Sequence, residues 1–131
     1  MFYDEISGLF DKFDDVIDGD QFVCCGDFNC GGGDDPTSVS SDLQAVFDSH
    51  GLQQFVQSPT RRTLRCSSLL DLVVCRSNSR RISQVAVQPS HAVSDHDLVT
   101  WFLSTKLILK PQLVTYRFRS LNQSINQSIN L

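Results

Sequence analysis

The eight residues Phe22-Val23-Cys24-Cys25-Gly26-Asp27-Phe28-Asn29 constrain this chain more than any other stretch. Four consecutive uncharged, largely apolar side chains read as a strand buried on both faces. Gly26 then lets the backbone turn or pack closely where the strand ends. Asp27 and Asn29 follow two positions apart and project from the mouth of the sheet. In open α/β sheets ligands sit at that carboxyl end of the strands. The same residue types also dominate ordinary polar turns, so later stretches have to decide between the two readings.

Ahead of this strand, Phe2, Ile6, Leu9, Phe10, Phe13 and Ile17 recur at helical spacing, with Asp4, Glu5, Asp11, Asp14 and Asp15 on the other face. That pattern predicts one amphipathic helix over residues 2–17, its acidic side a solvated surface and not a cation site. After the strand, Gly31-Gly32-Gly33-Asp34-Asp35-Pro36 reads as a flexible loop. It lacks the Lys-Ser/Thr ending of a phosphate-binding P-loop. Ser41-Asp42-Leu43-Gln44 reads as a capping box opening a short helix that Gly51 closes. A short strand is expected at 52–57, and Ser58-Pro59-Thr60-Arg61-Arg62 is then an extended basic loop. Ser68 to Cys75 is a second buried strand interrupted by one charge, Asp71. Another short strand follows at 85–87, and Ser94-Asp95-His96-Asp97 opens a last strong strand running to about Thr105.

Length and composition set the limits. At 131 residues there is room for one ordinary domain. The net charge of −4 hides an asymmetry: residues 1–50 carry twelve acids and one base, and residues 51–131 carry three acids and ten bases. Arginines in the basic half suit phosphate contact through their planar fork, although a scatter of this kind is also an ordinary solvated face. The five cysteines are odd in number and lack a Cys-x-x-Cys, which fits a reduced, intracellular protein, nuclear or cytoplasmic. Cys25, Cys30 and Cys66 with a histidine form a conceivable zinc set. No signal peptide and no membrane-spanning run is visible, so no membrane partner is expected. The organisation read from the sequence is a domain over 1–105, a basic extension over 106–119, and a low-complexity tail over 120–131 whose repeated Asn-Gln-Ser-Ile is expected to be disordered.

Three strand landmarks now carry polar groups: Asp27 with Asn29, Asp71, and Asp95 with His96. An ionised Asp inside a buried strand is costly without a partner, and His96 on another strand is the natural one for Asp71. Such a pair sets the imidazole tautomer and raises its basicity. Asp27 and Asp95 add hard oxygen ligands of the kind Mg²⁺ takes beside a substrate phosphate.

In this order, Gly26-Asp27-Phe28-Asn29, Leu70-Asp71-Leu72-Val73 and Ser94-Asp95-His96 resemble the C-terminal motifs of the endonuclease/exonuclease/phosphatase superfamily. Ser58-Pro59-Thr60-Arg61 followed by Ser68-Leu69-Leu70-Asp71-Leu72-Val73 looks most like the apurinic-type endonuclease domain of non-LTR, LINE-type retrotransposons. The resemblance covers about residues 1–105. It implies an α/β fold corresponding to the C-terminal half of a four-layer, DNase I-like sandwich, with a mixed sheet and flanking helices. It further implies a Mg²⁺- or Mn²⁺-dependent DNA endonuclease leaving a 3′-hydroxyl, with DNA as partner and no small-molecule cofactor.

By the same resemblance Asp27 would orient or activate water near the metal, and Asn29 would bond the scissile phosphate. Asp95 would serve the metal. His96, held by Asp71, would act as base or as electrostatic stabiliser. Asn29, Thr60 and Arg61 would bind substrate. The family's earlier half, which supplies a metal-binding Glu and an early Asn, has no counterpart here, because Glu5 is the only glutamate and stands in the wrong place. The chain is therefore expected to be an N-terminally truncated copy, with one apolar sheet face uncovered. Two other readings stay open: an inactive nucleic-acid-binding remnant, and a phosphatase-branch enzyme acting on a small phosphoester. The Pro-Thr-Arg loop and the arginines favour DNA over the latter.

Overall fold

The computed structural model describes residues 2–90 and 92–105. In chain order the elements are α1 (Phe2–Asp11), α2 (Asp14–Asp18), β1 (Val23–Asp27), β2 (Gly31–Gly32), β3 (Asp35–Val39), α3 (Ser41–Ser49), β4 (Leu52–Gln54), β5 (Arg61–Arg62), β6 (Ser67–Ser68), β7 (Asp71–Arg76), β8 (Ile82–Gln88) and β9 (Leu98–Leu103). The expected 106–119 extension and 120–131 tail lie outside the described residues.

The centre of the molecule is β7. Leu72, Val73, Val74 and Cys75 are each at most 2% exposed. Successive side chains of a strand point to opposite faces, so β7 is covered on both. It stands between β1 and β4 in a three-stranded sheet. Phe10 of α1, Leu43 and Phe47 of α3, Leu52 and Val56 bury themselves in the same cluster, and Val85, Val87, Val99 and Trp101 of the β8–β9 hairpin pack against it. The apolar sheet face expected to lie bare is therefore closed at its centre.

Several expectations are corrected. β1 is an edge strand, hydrogen-bonded only to β7 in its sheet, and Cys25, Gly26 and Asp27 are exposed. An apolar run reports that a strand is wanted inside and does not report whether it has one neighbour or two. The pairings among the described residues are all antiparallel where a mixed sheet was expected. Antiparallel neighbours need no helical crossover between them, and the fold is a mixed α/β one built from the three-stranded sheet and three two-stranded ribbons.

The single N-terminal helix is two, since the chain turns at Lys12 and Phe13, whose N–H groups bond back to Leu9 and Phe10. The glycine loop is a ribbon. Gly31 pairs with Val39 and Gly32 with Asp35, and Gly32 sits where a Cβ would press on backbone, 2.9 Å from the Ser38 carbonyl oxygen and 3.0 Å from that of Val39. The cap of α3 is Ser40, one residue before the expected box, its Oγ accepting from Leu43 N–H at 3.3 Å. The second buried strand starts at Asp71 rather than Ser68, because Ser67 and Ser68 turn aside to pair with Arg62 and Arg61. The short strand at 85–87 is the middle of the longer β8, and β9 ends at Leu103.

Candidate functional site

β1 and β7 run antiparallel in a register that sets Gly26 against Leu72 and Asp27 against Asp71. Two carboxylates directly opposite across a strand pair repel each other, so this end of the sheet calls for positive charge. His96 supplies part of it: its Nδ1 lies 2.8 Å from Asp71 Oδ2. A single bridge between Arg61 and His96 carries the imidazole to the sheet end. One ligand atom each from Asp27, Asp71 and His96 fall within 4.8 Å of one another.

Gly26, at φ +148°, takes a backbone conformation that other residues rarely adopt, one residue before β1 ends at Asp27. Beyond it Asp27 Oδ1 accepts the Asn29 N–H at 2.8 Å and Phe28 N–H bonds to Leu70 O at 2.9 Å, which closes a turn with Asn29 at φ +52°. Asn tolerates that left-handed backbone better than most residues. The structure thus brings Asp27, Asn29, Asp71 and His96 to one end of the sheet.

The hydrogen bond that Asp71 accepts from the imidazole holds His96 above its ordinary range, with partial burial opposing and the charges of Asp71, Asp27 and Asp95 adding to the rise. A basic group raised in this way stabilises the fold fully below its unfolded value and loses that contribution as pH climbs through the folded one. The stability difference between wild type and His96→Ala should therefore be larger at about pH 5.5 than at about pH 8.5, on either side of the ordinary imidazole value. Urea midpoints at the two pH values measure it, and equal differences would show that the pair does not hold the proton.

Two residues assigned to substrate or metal stand elsewhere. Thr60 is corrected: it is 0% exposed and cannot touch a substrate. Its Oγ1 accepts the N–H groups of Leu70 at 3.1 Å and Asp71 at 2.9 Å, its own N–H bonds to Ser68 O, and its carbonyl receives the Asp97 N–H. Thr60 therefore fixes where β7 begins and so where Asp71 stands. Asp95 lies outside the three-residue group, its Oδ2 2.8 Å from Arg61 Nε. That hydrogen bond lowers the Asp95 carboxyl below the usual carboxylate range and raises Arg61. Arg61 itself is exposed, on the hairpin of β5 and β6 whose tip carries Thr63, Leu64 and Arg65. A shallow groove lined by Arg62, Thr63, Leu64, Ser94 and Asp95 runs beside it.

Asp97 was missed as a structural residue. Its side chain is 0% exposed, receives Arg62 Nε at 2.9 Å and accepts the Ser90 N–H at 3.2 Å, while Ser90 Oγ donates to the His96 carbonyl. It locks the His96 segment from behind. The alternation Asp95-His96-Asp97 was the available signal, since neighbours in an extended segment face opposite ways.

A second group was not expected at all. Asp11 and Asp14, on the acidic face of the N-terminal helices, stand 3.8 and 3.7 Å from the two ring nitrogens of the largely buried His50. Ser7 Oγ lies 2.9 Å from His50 Nε2. Among the described residues, neither of the two groups of cation-binding size contains a cysteine, so the conceivable zinc set is not assembled there.

The donors at the sheet end fit a hard divalent cation. Asp27 and Asp71 offer carboxylate oxygens beyond those used by Asn29 and His96, and opposed carboxylates are the arrangement a cation relieves. No helix among the described residues is long and apolar enough to cross a membrane. No protein-family model, curated protein or solved structure matches this chain.

Proposed function

We propose that this chain carries the Asp–His portion of a divalent-cation-dependent phosphodiesterase site that nicks DNA, of the retrotransposon endonuclease type its motifs resemble. The observation that supports it most is the placing of Asp27 opposite Asp71, with His96 on Asp71. Asp27 and Asp71 would hold Mg²⁺ or Mn²⁺, which when bound would offset charge on the phosphodiester.

The residues have distinct tasks. Asp27 orients the attacking water and Asn29 donates to a phosphate oxygen. The water oxygen bonds to phosphorus as its proton passes to the Asp27 carboxylate, the P–O3′ bond breaks, and the leaving 3′ oxygen takes a proton from solvent water, so that a 3′-hydroxyl and a 5′-phosphate result. His96 has its proton held by Asp71 beyond the ordinary imidazole range, so it acts through positive charge against the phosphate more readily than as a base. Arg61, Arg62 and Arg65, on and beside the β5–β6 hairpin, supply cations for the polyanion backbone. A fully exposed Leu64 at the same tip suits contact with a base step.

Supercoiled-plasmid nicking with Mg²⁺ tests the proposal on wild type, His96→Ala and Asp27→Ala. Nicking by wild type that is lost in both variants supports it. Equal background in all three, with salt-sensitive DNA binding, would make the chain a nucleic-acid-binding remnant. Hydrolysis of a small phosphoester without nicking would move it to the phosphatase branch.

A further inference from the structure

Residues 2–20 carry seven acids against the single base Lys12, a field that concentrates cations. Two of those acids converge on one histidine. Asp11 is the last residue of α1 and Asp14 the first of α2, on either side of the turn at Lys12 and Phe13, and His50 caps the C-terminal end of α3. The His50 side chain is only 8% exposed, and its ring stands edge-on to Phe10 with centroids 5.5 Å apart. Ser7 Oγ, 2.9 Å from Nε2, fixes the rotation of that ring. The imidazole is thus held rigidly, while the two carboxylates are 66% and 60% exposed and can adjust to a ligand.

The buried ring has a nitrogen to spare. Nδ1 makes no hydrogen bond among the described residues, and the carboxylate oxygens stand too far off to bond the ring directly: Asp14 Oδ1 is 3.7 Å from Nδ1 and Asp11 Oδ1 is 3.8 Å from Nε2. Two ligands of one tetrahedral ion stand about 3.3 Å apart when each bond is about 2.0–2.1 Å long. A small rotation of the exposed Asp14 side chain reaches that spacing. One ligand atom each from Asp11, Asp14 and His50 already lie within 4.8 Å of one another. An imidazole nitrogen with two carboxylate oxygens is a donor set that Zn²⁺ takes, whereas Mg²⁺ prefers oxygen alone.

We propose that Asp11, Asp14 and His50 bind Zn²⁺, with Ser7 as the positioning residue. The neutral ring keeps its proton on Nε2 and donates it to Ser7 Oγ, which leaves the Nδ1 lone pair for the ion. Water takes the fourth position. The ion ties α1 and α2 to the end of α3. It stands apart from the sheet end, since Leu52, two residues after His50, pairs with Arg76 at the opposite end of β7 from Asp71. The inference is therefore independent of the hydrolytic reading. Zn²⁺ titration of the full chain, followed through the His50 ring resonances, tests it. In wild type those resonances should shift and saturate. Ser7→Ala should weaken the affinity read there by about 10-fold. Asp11→Asn/Asp14→Asn, at exposed positions, should abolish the shift, and Asp27→Asn should leave it intact. A ring that Zn²⁺ does not move, as when the ion goes only to cysteines, would overturn the proposal. So would a shift that survives the double substitution, an affinity unchanged in Ser7→Ala, or a response lost in Asp27→Asn.

Discussion

Replacing His96 with alanine should lower Mg²⁺-dependent plasmid nicking by about 10²- to 10³-fold, the usual worth of one preorganised group that meets developing charge. The size follows from where His96 stands. Asp71 engages Nδ1 and leaves Nε2 as the nitrogen to meet the phosphate. The same carboxylate holds the proton there as pH rises. Alanine removes both the charge and its aim, and it leaves Asp27 and Asp71 opposed without a cationic side chain between them. Asp71→Asn is the finer probe. It keeps the shape and removes the charge, so the high-pH limb of the nicking profile should move down toward the ordinary imidazole range while some activity remains. A limb that does not move would mean that Asp71 does not set the His96 proton affinity.

Thr60→Val should be the most damaging of the small substitutions. Valine has the volume and no oxygen, so the N–H groups of Leu70 and Asp71 lose their acceptor at a fully buried position. An unsatisfied buried N–H costs about 1–3 kcal/mol, which for two amounts to roughly 2–6 kcal/mol. In a chain of this size that lowers the melting temperature by roughly 10 °C. Thr60→Ser keeps the oxygen and should lose much less. The pair of variants, compared by thermal unfolding, separates the hydroxyl from the methyl. Equal losses would show that Thr60 matters only as filler.

What could be read in advance depended on whether a residue's needs were local. The run Leu72–Cys75 is buried on both faces, so its continuous apolarity was a faithful signal. Phe22–Cys25 carries the same signal at the edge of the sheet, because hydrophobicity does not count neighbours. Asp71 was legible for the opposite reason: a charge inside such a run demands a partner, and His96 was the available cation on another strand.

Thr60 could not be read this way. Its hydroxyl serves backbone groups ten and eleven residues downstream, and backbone amides leave no trace in composition. The ribbon at Gly31–Val39 was hidden by its own residues, since glycine, aspartate and proline mark turns far more often than pairing. Asp95 was placed at the metal as a hard oxygen donor and by the motif resemblance. The bridge between Arg61 and His96 instead brings a guanidinium to it.

The proposed function stands or falls on whether Asp27 and Asp71 hold a divalent cation beside His96. Mn²⁺ titration followed by NMR relaxation tests it most directly, because the ion broadens nuclei close to it. Substoichiometric Mn²⁺ should broaden the His96 ring and the amides of Asp27 and Asp71, and Asp27→Asn should abolish the effect. Broadening confined to His50, Asp11 and Asp14, or unchanged in Asp27→Asn, would contradict it.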